Sequence, residues 1–201
     1  MSTLRERKRK EKWRRIRDAA AALFAERGFE GTTTRAIAER AEVGAGTVYL
    51  YAKTKEELLL RLFAESIEAA IEQGFASLPE APVVDRLMHL YAHFFGFYAR
   101  DMALARVLVR EMTFGQIDLA SNVRLTMSFN EQVAGLLREA AARGELRSDV
   151  PAELAARNAF SAYFMSLVAW LRGFVDADGR DAALRSTLQL QLEGLLPRGE
   201  P

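Results

Sequence analysis

The sequence predicts an all-α fold of about nine helices, on three observations. Apolar residues recur three and four positions apart nearly throughout, no stretch alternates cleanly with period two, and the helix-start signature Thr54-x-x-Glu57 precedes a long apolar run. The first helix is expected over residues 9–27, with Trp13, Ile16, Ala20, Leu23 and Phe24 on one face and Gly28 as its C-terminal cap. Thr33 is the expected N-cap of the second helix, whose apolar face is Ile37, Ala38 and Ala41. Val43 and Gly44 then turn the chain into a short third helix over 45–51. The Thr54–Glu57 capping box opens the fourth, which runs through Leu58, Leu59, Leu62, Phe63 and Ile67 to about Phe75. After the break at PEAP, helices are expected at 83–100, 102–114, 117–143, 151–175 and 180–196. Pro151 stands as a first-turn proline, and Gly144, Gly173 and Gly179 lie in or near breaks.

A chain of 201 residues, half of them hydrophobic, can bury a sizeable core in one or two domains. The absence of cysteine excludes disulfides, thiolate metal sites and thiol catalysis, and a reducing cytoplasm is the natural compartment. The opening MSTLRERKRKEKW is charged with no apolar run behind it, which is neither a signal peptide nor an anchor; the longest apolar stretch, near 159–171, is too short and too polar to span a bilayer. The net charge of +1 conceals an asymmetry. Residues 1–60 hold 14 Lys and Arg against 9 Asp and Glu, leaving 14 against 18 in the remainder. Between Arg5 and Arg17, nine basic residues face only Glu6 and Glu11. Such a run alone reads equally as a solvated helix end, but beside a projecting helix phosphate contact explains it better.

That projecting helix lies within residues 32–51, TTTRAIAERAEVGAGTVYLY. Two helices joined by so short a turn cross steeply, leaving the first turn of the second outward in the geometry that enters a major groove. Gly46 inside a helix costs about 1 kcal/mol relative to alanine, so it is either merely tolerated or has a reason to be there. With Ala45 it leaves the first turn nearly bare, which lets the helix sit deep and brings Ala45 and the Thr47 methyl within reach of a thymine methyl. Thr33, Thr34 and Arg35 open the second helix, where backbone N–H groups favour a phosphate, although simple capping explains the threonines as well.

A single helix, then TTTRAIAERAEVGAGTVYLY, then KTKEEL at the start of a long helix together resemble the TetR family of bacterial transcriptional regulators, over about residues 12–63. The resemblance implies a three-helix helix-turn-helix DNA-binding domain with a basic arm, assigned to residues 1–55, and a larger helical effector-binding and dimerisation domain, assigned to 56–201. It puts Tyr49 on a phosphate or base edge, Tyr51 and Lys55 on phosphates, Leu50 near a base methyl or exposed, and Val48 in the core. Two departures stand out: Gly44 replaces the family's usual serine N-cap, and Ala52 replaces a phenylalanine after Tyr51. The implied function is a ligand-responsive repressor that binds a palindromic double-stranded operator as a homodimer, with half-site centres about 34 Å or more apart. The last two helices would supply the dimer bundle through Phe160, Phe164, Leu184, Leu188, Leu192 and Leu195, stripes that also close the subunit's own core.

The same resemblance implies a small hydrophobic or amphipathic effector. Tyr91, Phe94, Phe95, Phe97 and Tyr98 crowd one helix, with Met112, Phe114, Met127 and Phe129 following; taken singly, each reads as core packing. The expected effector residues are Tyr91, Phe94, Tyr98, Met112, Phe129, Asn158 and Tyr163, with Asn158 or Glu111 as a polar anchor, Glu111 reading equally as surface. Effector binding is expected to shift the fourth helix and respace the two recognition helices. His89 and His93 share a helix face as a chelating pair would. No Glu-x-x-His motif, cysteine or third ligand at a recognisable spacing accompanies them, so neither metal nor cofactor is expected. An enzyme would lack a nucleophile, a metal cluster and a phosphate loop, so no catalytic residue is assigned. The remaining alternative is a helical co-regulator or scaffold that binds protein instead of an effector.

Overall fold

The computed structural model describes residues 4–115 and 120–195, without the side chains of 120–122. Among them are nine α-helices and no strand: α1 (Leu4–Arg27), α2 (Thr34–Arg40), α3 (Ala45–Tyr49), α4 (Lys55–Ala76), α5 (Val83–Ala99), α6 (Met102–Phe114), α7 (Ala120–Ala142), α8 (Ala152–Leu171) and α9 (Ala177–Glu193). The expected start of α7 at Ile117 and end of α9 at Leu196 lie outside the described residues. The chain divides into two compact units, Met1–Ser66 with Asp101–Leu119, and Ile67–Arg100 with Ala120–Pro201.

In the first unit, α1 packs on α2 and α2 on α3. Ile16, Ala20, Leu23 and Phe24 of α1 meet Ile37, Ala38 and Val48 in a core from which water is excluded. Thr32 is buried at the corner after α1, where its hydroxyl lies 2.8 Å from the Gly28 carbonyl and 3.1 Å from that of Leu23. α1 begins five residues before its expected start, because nothing in its charged first turns breaks a helix and the Arg14–Glu11 pair at 2.7 Å supports it. The turn into α3 begins one residue before Val43, at Glu42, which is left-handed with φ 52°. The Val43 N–H donates to Ala38 O at 3.0 Å and the Glu42 N–H to Glu39 O at 3.1 Å, a Schellman ending, while Arg15 binds the Glu42 carbonyl at 2.9 Å. α4 opens on the expected cap, since Thr54 Oγ1 accepts from the Glu57 N–H at 3.1 Å. Glu57 reaches back to the N–H of Lys53, one residue earlier than a standard capping box.

In the second unit, α7 packs on α8, α8 on α9, and α5 on both α7 and α9. The α5 start is capped from a distance: the Val83 N–H donates to Glu145 Oε2 at 2.9 Å. Burial opposes the ionisation of Glu145, but Arg143 and that N–H outweigh it and hold the carboxyl below its usual range. α8 ends at Leu171, four residues before its expected limit, because Gly173 takes φ 74° and the Phe174 N–H closes back on Ala169 O at 2.9 Å. Pro151 is the N-cap of α8 and not its first helical residue. α9 starts three residues earlier than expected because Asp176 caps it, accepting from the Gly179 N–H at 2.8 Å, so Gly179 lies in the first turn and not in a break. Arg180 is buried between two aromatic faces, its guanidinium carbon 3.9 Å from the Phe95 ring centroid and 4.4 Å from that of Trp170, with Asp181 as its ion pair.

Candidate nucleic-acid interface and aromatic core

The first turn of α3 is bare. Gly44, its N-cap, makes no side-chain bond, and Ala45 and Gly46 are exposed. A Cβ built on Gly46 would meet no atom within 4 Å, so neither packing nor backbone geometry in this chain demands glycine there. Val48 is the buried anchor of α3 at 1 % exposure, while Tyr49 and Leu50 stand out at 61 % and 84 %. Thr33 caps α2, its Oγ1 accepting from the Ala36 N–H at 3.1 Å; Thr34 is half-buried, and Arg35 projects with only the exposed Glu39 beside it at 3.1 Å.

Tyr51 and Lys55 are engaged inside the unit. The Tyr51 ring stacks on Trp13 at 5.6 Å, and its hydroxyl donates to the backbone carbonyl of Arg9 at 2.9 Å. Arg61 lies over the Trp13 ring at 4.2 Å and donates to the Tyr51 carbonyl at 3.1 Å. Lys55 donates to Phe29 O at 3.0 Å, lies 4.3 Å over the Phe29 ring and pairs with Glu30 at 3.5 Å. The Tyr51 bond ties the basic first turns of α1 to the end of α3. Between them lies an open groove of about 870 Å³, lined by Leu4, Arg5, Lys8, Arg9, Lys12, Thr47, Leu50, Tyr51 and Arg61. Five of those nine side chains are cationic and none is acidic, so the groove attracts a polyanion. The sequence points to the basic run but not to its anchorage. Its joining to α3 through Tyr51 and Trp13 depends on a bond between residues 42 positions apart, which no local pattern carries.

The second unit gathers Tyr91, Phe94, Tyr98, Phe129 and Tyr163 into one buried cluster. Tyr91 and Tyr163 stack at 4.8 Å with 6° between their planes, and Phe94 meets Phe129 edge-on at 4.9 Å. Phe160 joins at 5.6 Å from Tyr163, and Phe95 at 5.2 Å. The Tyr98 and Tyr163 hydroxyls share a hydrogen bond. Burial raises all three phenols well above the usual tyrosine range, so they remain neutral donors. The Tyr91 hydroxyl is fully buried and, among the described residues, has no hydrogen-bond partner. Asn158 is exposed, about 140° around α8 from Tyr163. Met112 and Glu111 belong to α6 in the first unit, both half-buried.

Of the residues expected at the dimer surface, Leu184 and Leu188 have no exposed area, and Leu192 and Leu195 are buried as well; they pack within the unit because α9 turns this stripe onto its own neighbours. Phe160 and Phe164 are half-buried. The apolar side chains that α8 and α9 leave outward are Leu154, Met165 and Leu190, the last two at 64 % and 72 % exposure. Their signal in the sequence is a Leu or a Met at a polar position of an otherwise amphipathic helix.

Residues 16–62 match the family model described as bacterial regulatory proteins, tetR family. Over 186 residues the chain is 31 % identical to the HTH-type transcriptional repressor KstR of Rhodococcus jostii, covering 91 % of this chain and 84 % of that one. It is 28 % identical to the fatty acid metabolism regulator protein of Bacillus subtilis, covering 92 % and 95 %. Among solved structures it resembles Thermus thermophilus FadR in complex with lauroyl-CoA, with a TM-score of 0.74, 28 % identity and coverage of 94 % and 97 %. It also resembles Bacillus subtilis FadR in complex with stearoyl-CoA, with a TM-score of 0.70, 27 % identity and coverage of 91 % and 99 %. Among the described residues no helix is long and apolar enough to cross a membrane.

Proposed function

The chain belongs to the TetR family of bacterial transcriptional regulators, and from that membership we propose that it is a repressor which binds a palindromic operator as a homodimer and is released by a long-chain acyl-CoA. The observation that carries the DNA reading is the open space around Gly46. A glycine inside a helix lowers its stability by about 1 kcal/mol; Gly96 and Gly135 are as open among the described residues, but Gly46 stands beside the exposed Ala45 in the first turn of α3, where an outside surface that approaches closely accounts for it. Base edges would meet Ala45, Gly46 and Thr47, while Thr33, Thr34, Arg35 and Tyr49 face the flanking phosphates. Arg5, Lys8 and Lys12 extend that grip along the basic groove. Tyr51 and Lys55 act one step back, by fixing the elements that carry these contacts.

The acyl-CoA assignment rests on the lauroyl-CoA and stearoyl-CoA complexes of two relatives that align over nearly the whole chain. A fatty acyl thioester is amphipathic, which suits an aromatic cluster holding one polar atom without a partner. Tyr91, Phe94, Phe129 and Tyr163 would line the acyl chain, and the Tyr91 hydroxyl would meet its one polar group at that depth, the thioester carbonyl. Resemblance to a fatty acid metabolism regulator suggests that the controlled genes handle fatty acids. One helix pair reads few bases, so a two-fold dimer is needed for discrimination. The outward Met165 and Leu190 of α8 and α9, with Leu154, give it an apolar seam.

Gel-shift titration against DNA from upstream of the chain's own gene tests the whole reading. A complex that weakens steeply with salt and dissociates on adding lauroyl-CoA or stearoyl-CoA, but not coenzyme A alone, is the expected result. By linkage, operator DNA must weaken acyl-CoA binding by the same factor. A salt-insensitive shift would sink the DNA reading, and indifference to every acyl-CoA would leave the scaffold alternative. A chain that sediments as a monomer at micromolar concentration would remove the dimer.

A further inference from the structure

His89 and His93 lie one turn apart on α5, and the chain leaves α4 so that Ser77 stands beside both. The two Nε2 atoms are 3.3 Å apart, and Ser77 Oγ is 3.0 Å from that of His89 and 3.5 Å from that of His93. Ser77 Oγ also lies 2.7 Å from the Gln73 carbonyl, which draws the hydroxyl's one proton and turns its lone pairs toward the imidazoles. α4 and α5 pack closely beside the cluster, where a Cβ on Gly74 would meet Leu90 Cδ2 at 3.3 Å and His93 Cδ2 at 3.4 Å. Three potential ligand atoms thus converge on one small space.

Their spacing has a specific meaning. Donors around a tetrahedral ion, each about 2.0–2.1 Å from it, stand about 3.3 Å from one another. The three distances here bracket that value, so one ion just above the plane of the triangle can touch all three. From this geometry we propose that Ser77, His89 and His93 form one face of a site for a divalent transition ion with a preference for imidazole, Zn²⁺ being the probe, completed by solvent. The two imidazoles supply most of the affinity, since among the described residues no group of three or more His, Cys, Asp and Glu side chains converges. The site is therefore open and weaker than a closed four-ligand zinc site. An ion there clamps the last turn of α4 to α5 within the second unit, and the proposal stands independently of the DNA and acyl-CoA readings.

The chain has only two histidines, so its imidazole NMR spectrum is resolved by construction. Untagged full-length protein, stripped with a chelator and titrated with ZnCl₂, is expected to bind one ion per chain, with both imidazole signals moving together and the melting temperature rising. His89→Gln and His93→Gln should each weaken binding by at least about tenfold, and Ser77→Ala by less. Melting of each variant without metal identifies any that fails to fold. Mg²⁺ should do nothing, and Cu²⁺ should bind at least as tightly as Zn²⁺. Imidazole signals that ignore Zn²⁺ yet shift together on acidification would overturn the proposal and make the cluster a proton-sharing pair. So would Zn²⁺ binding that survives both histidine substitutions.

Discussion

At Gly46 an added methyl group would meet nothing, whereas Tyr91 has no exposed surface at all. Both positions carry a proposed role, one in DNA binding and one in effector binding, yet opposite economies of space surround them. The first turn of α3 forgoes side chains that the helix itself would favour, and leaves open room at the surface. The aromatic core of the second unit is filled with the chain's own rings, and among them the Tyr91 hydroxyl is buried with no hydrogen-bond partner among the described residues, as are side-chain atoms of Arg86, Asn130 and Arg147 in the same unit. A site for a large, rigid polyanion shows itself as missing volume at the surface. A site for a flexible amphipathic molecule shows itself as missing polar satisfaction in the interior, because neighbouring side chains can repack around such a guest.

The strongest way to break this contrast is to remove charge from the open side. Arg5→Ala, Lys8→Ala and Lys12→Ala combined should reduce the slope of log affinity against log salt by about 0.9 for each phosphate no longer neutralised, about 2.7 if all three touch DNA. Binding at low salt should fall by more than that of any single variant here, while the melting temperature stays near the parent's, since these side chains are exposed. An unchanged slope would show that the groove is not part of the DNA surface, and the bareness of α3 would then stand alone.

Gly46→Ala gives a smaller effect with opposite signs in two measurements. Folding stability should rise by about 1 kcal/mol, because the backbone is helical, the new methyl has space, and alanine is the better helix former. Operator affinity should drop by about tenfold to a hundredfold, as when a single base is no longer read. A variant that is both more stable and equally tight on DNA would turn Gly46 into a merely tolerated residue.

The two sides of the comparison were unequally readable in the sequence. The helix pair and the caps of α2 at Thr33 and α4 at Thr54 follow from local spacing, the core anchor Val48 from the family resemblance, and the structure has them. Helix ends moved where the deciding contact was a cap of another kind, as with Asp176 before α9, or a left-handed Glu42 held by a distant Arg15. The leucine stripe of α9 was legible as apolar but not as inward or outward, because periodicity defines a face without saying what covers it. Within the second unit, the five clustered aromatics come from three helices, and nothing in sequence separation tells a pocket wall from a packed core. The unpartnered Tyr91 hydroxyl is a property of all its neighbours at once, visible only when they are assembled.

Tyr91→Phe sharpens the buried side of the comparison with the smallest expected change. The ring stack on Tyr163 survives, since it needs only the aromatic face. Removing a buried hydroxyl that has no partner relieves a desolvation cost of about 1–3 kcal/mol, partly offset by the space the oxygen leaves. The melting temperature should therefore hold or rise by a few degrees, at about 2–4 °C per kcal/mol for a chain of this size. If the hydroxyl donates to the acyl thioester, the acyl-CoA concentration needed for half-release from DNA should rise about three- to tenfold, the worth of one neutral hydrogen bond. Operator affinity without effector should be unchanged. A clear loss of stability, with the acyl-CoA response intact, would mean that the hydroxyl serves the fold through an internal water and not the effector. The interior would then be as satisfied as any other core, and the function of this unit would have to be sought on its surface.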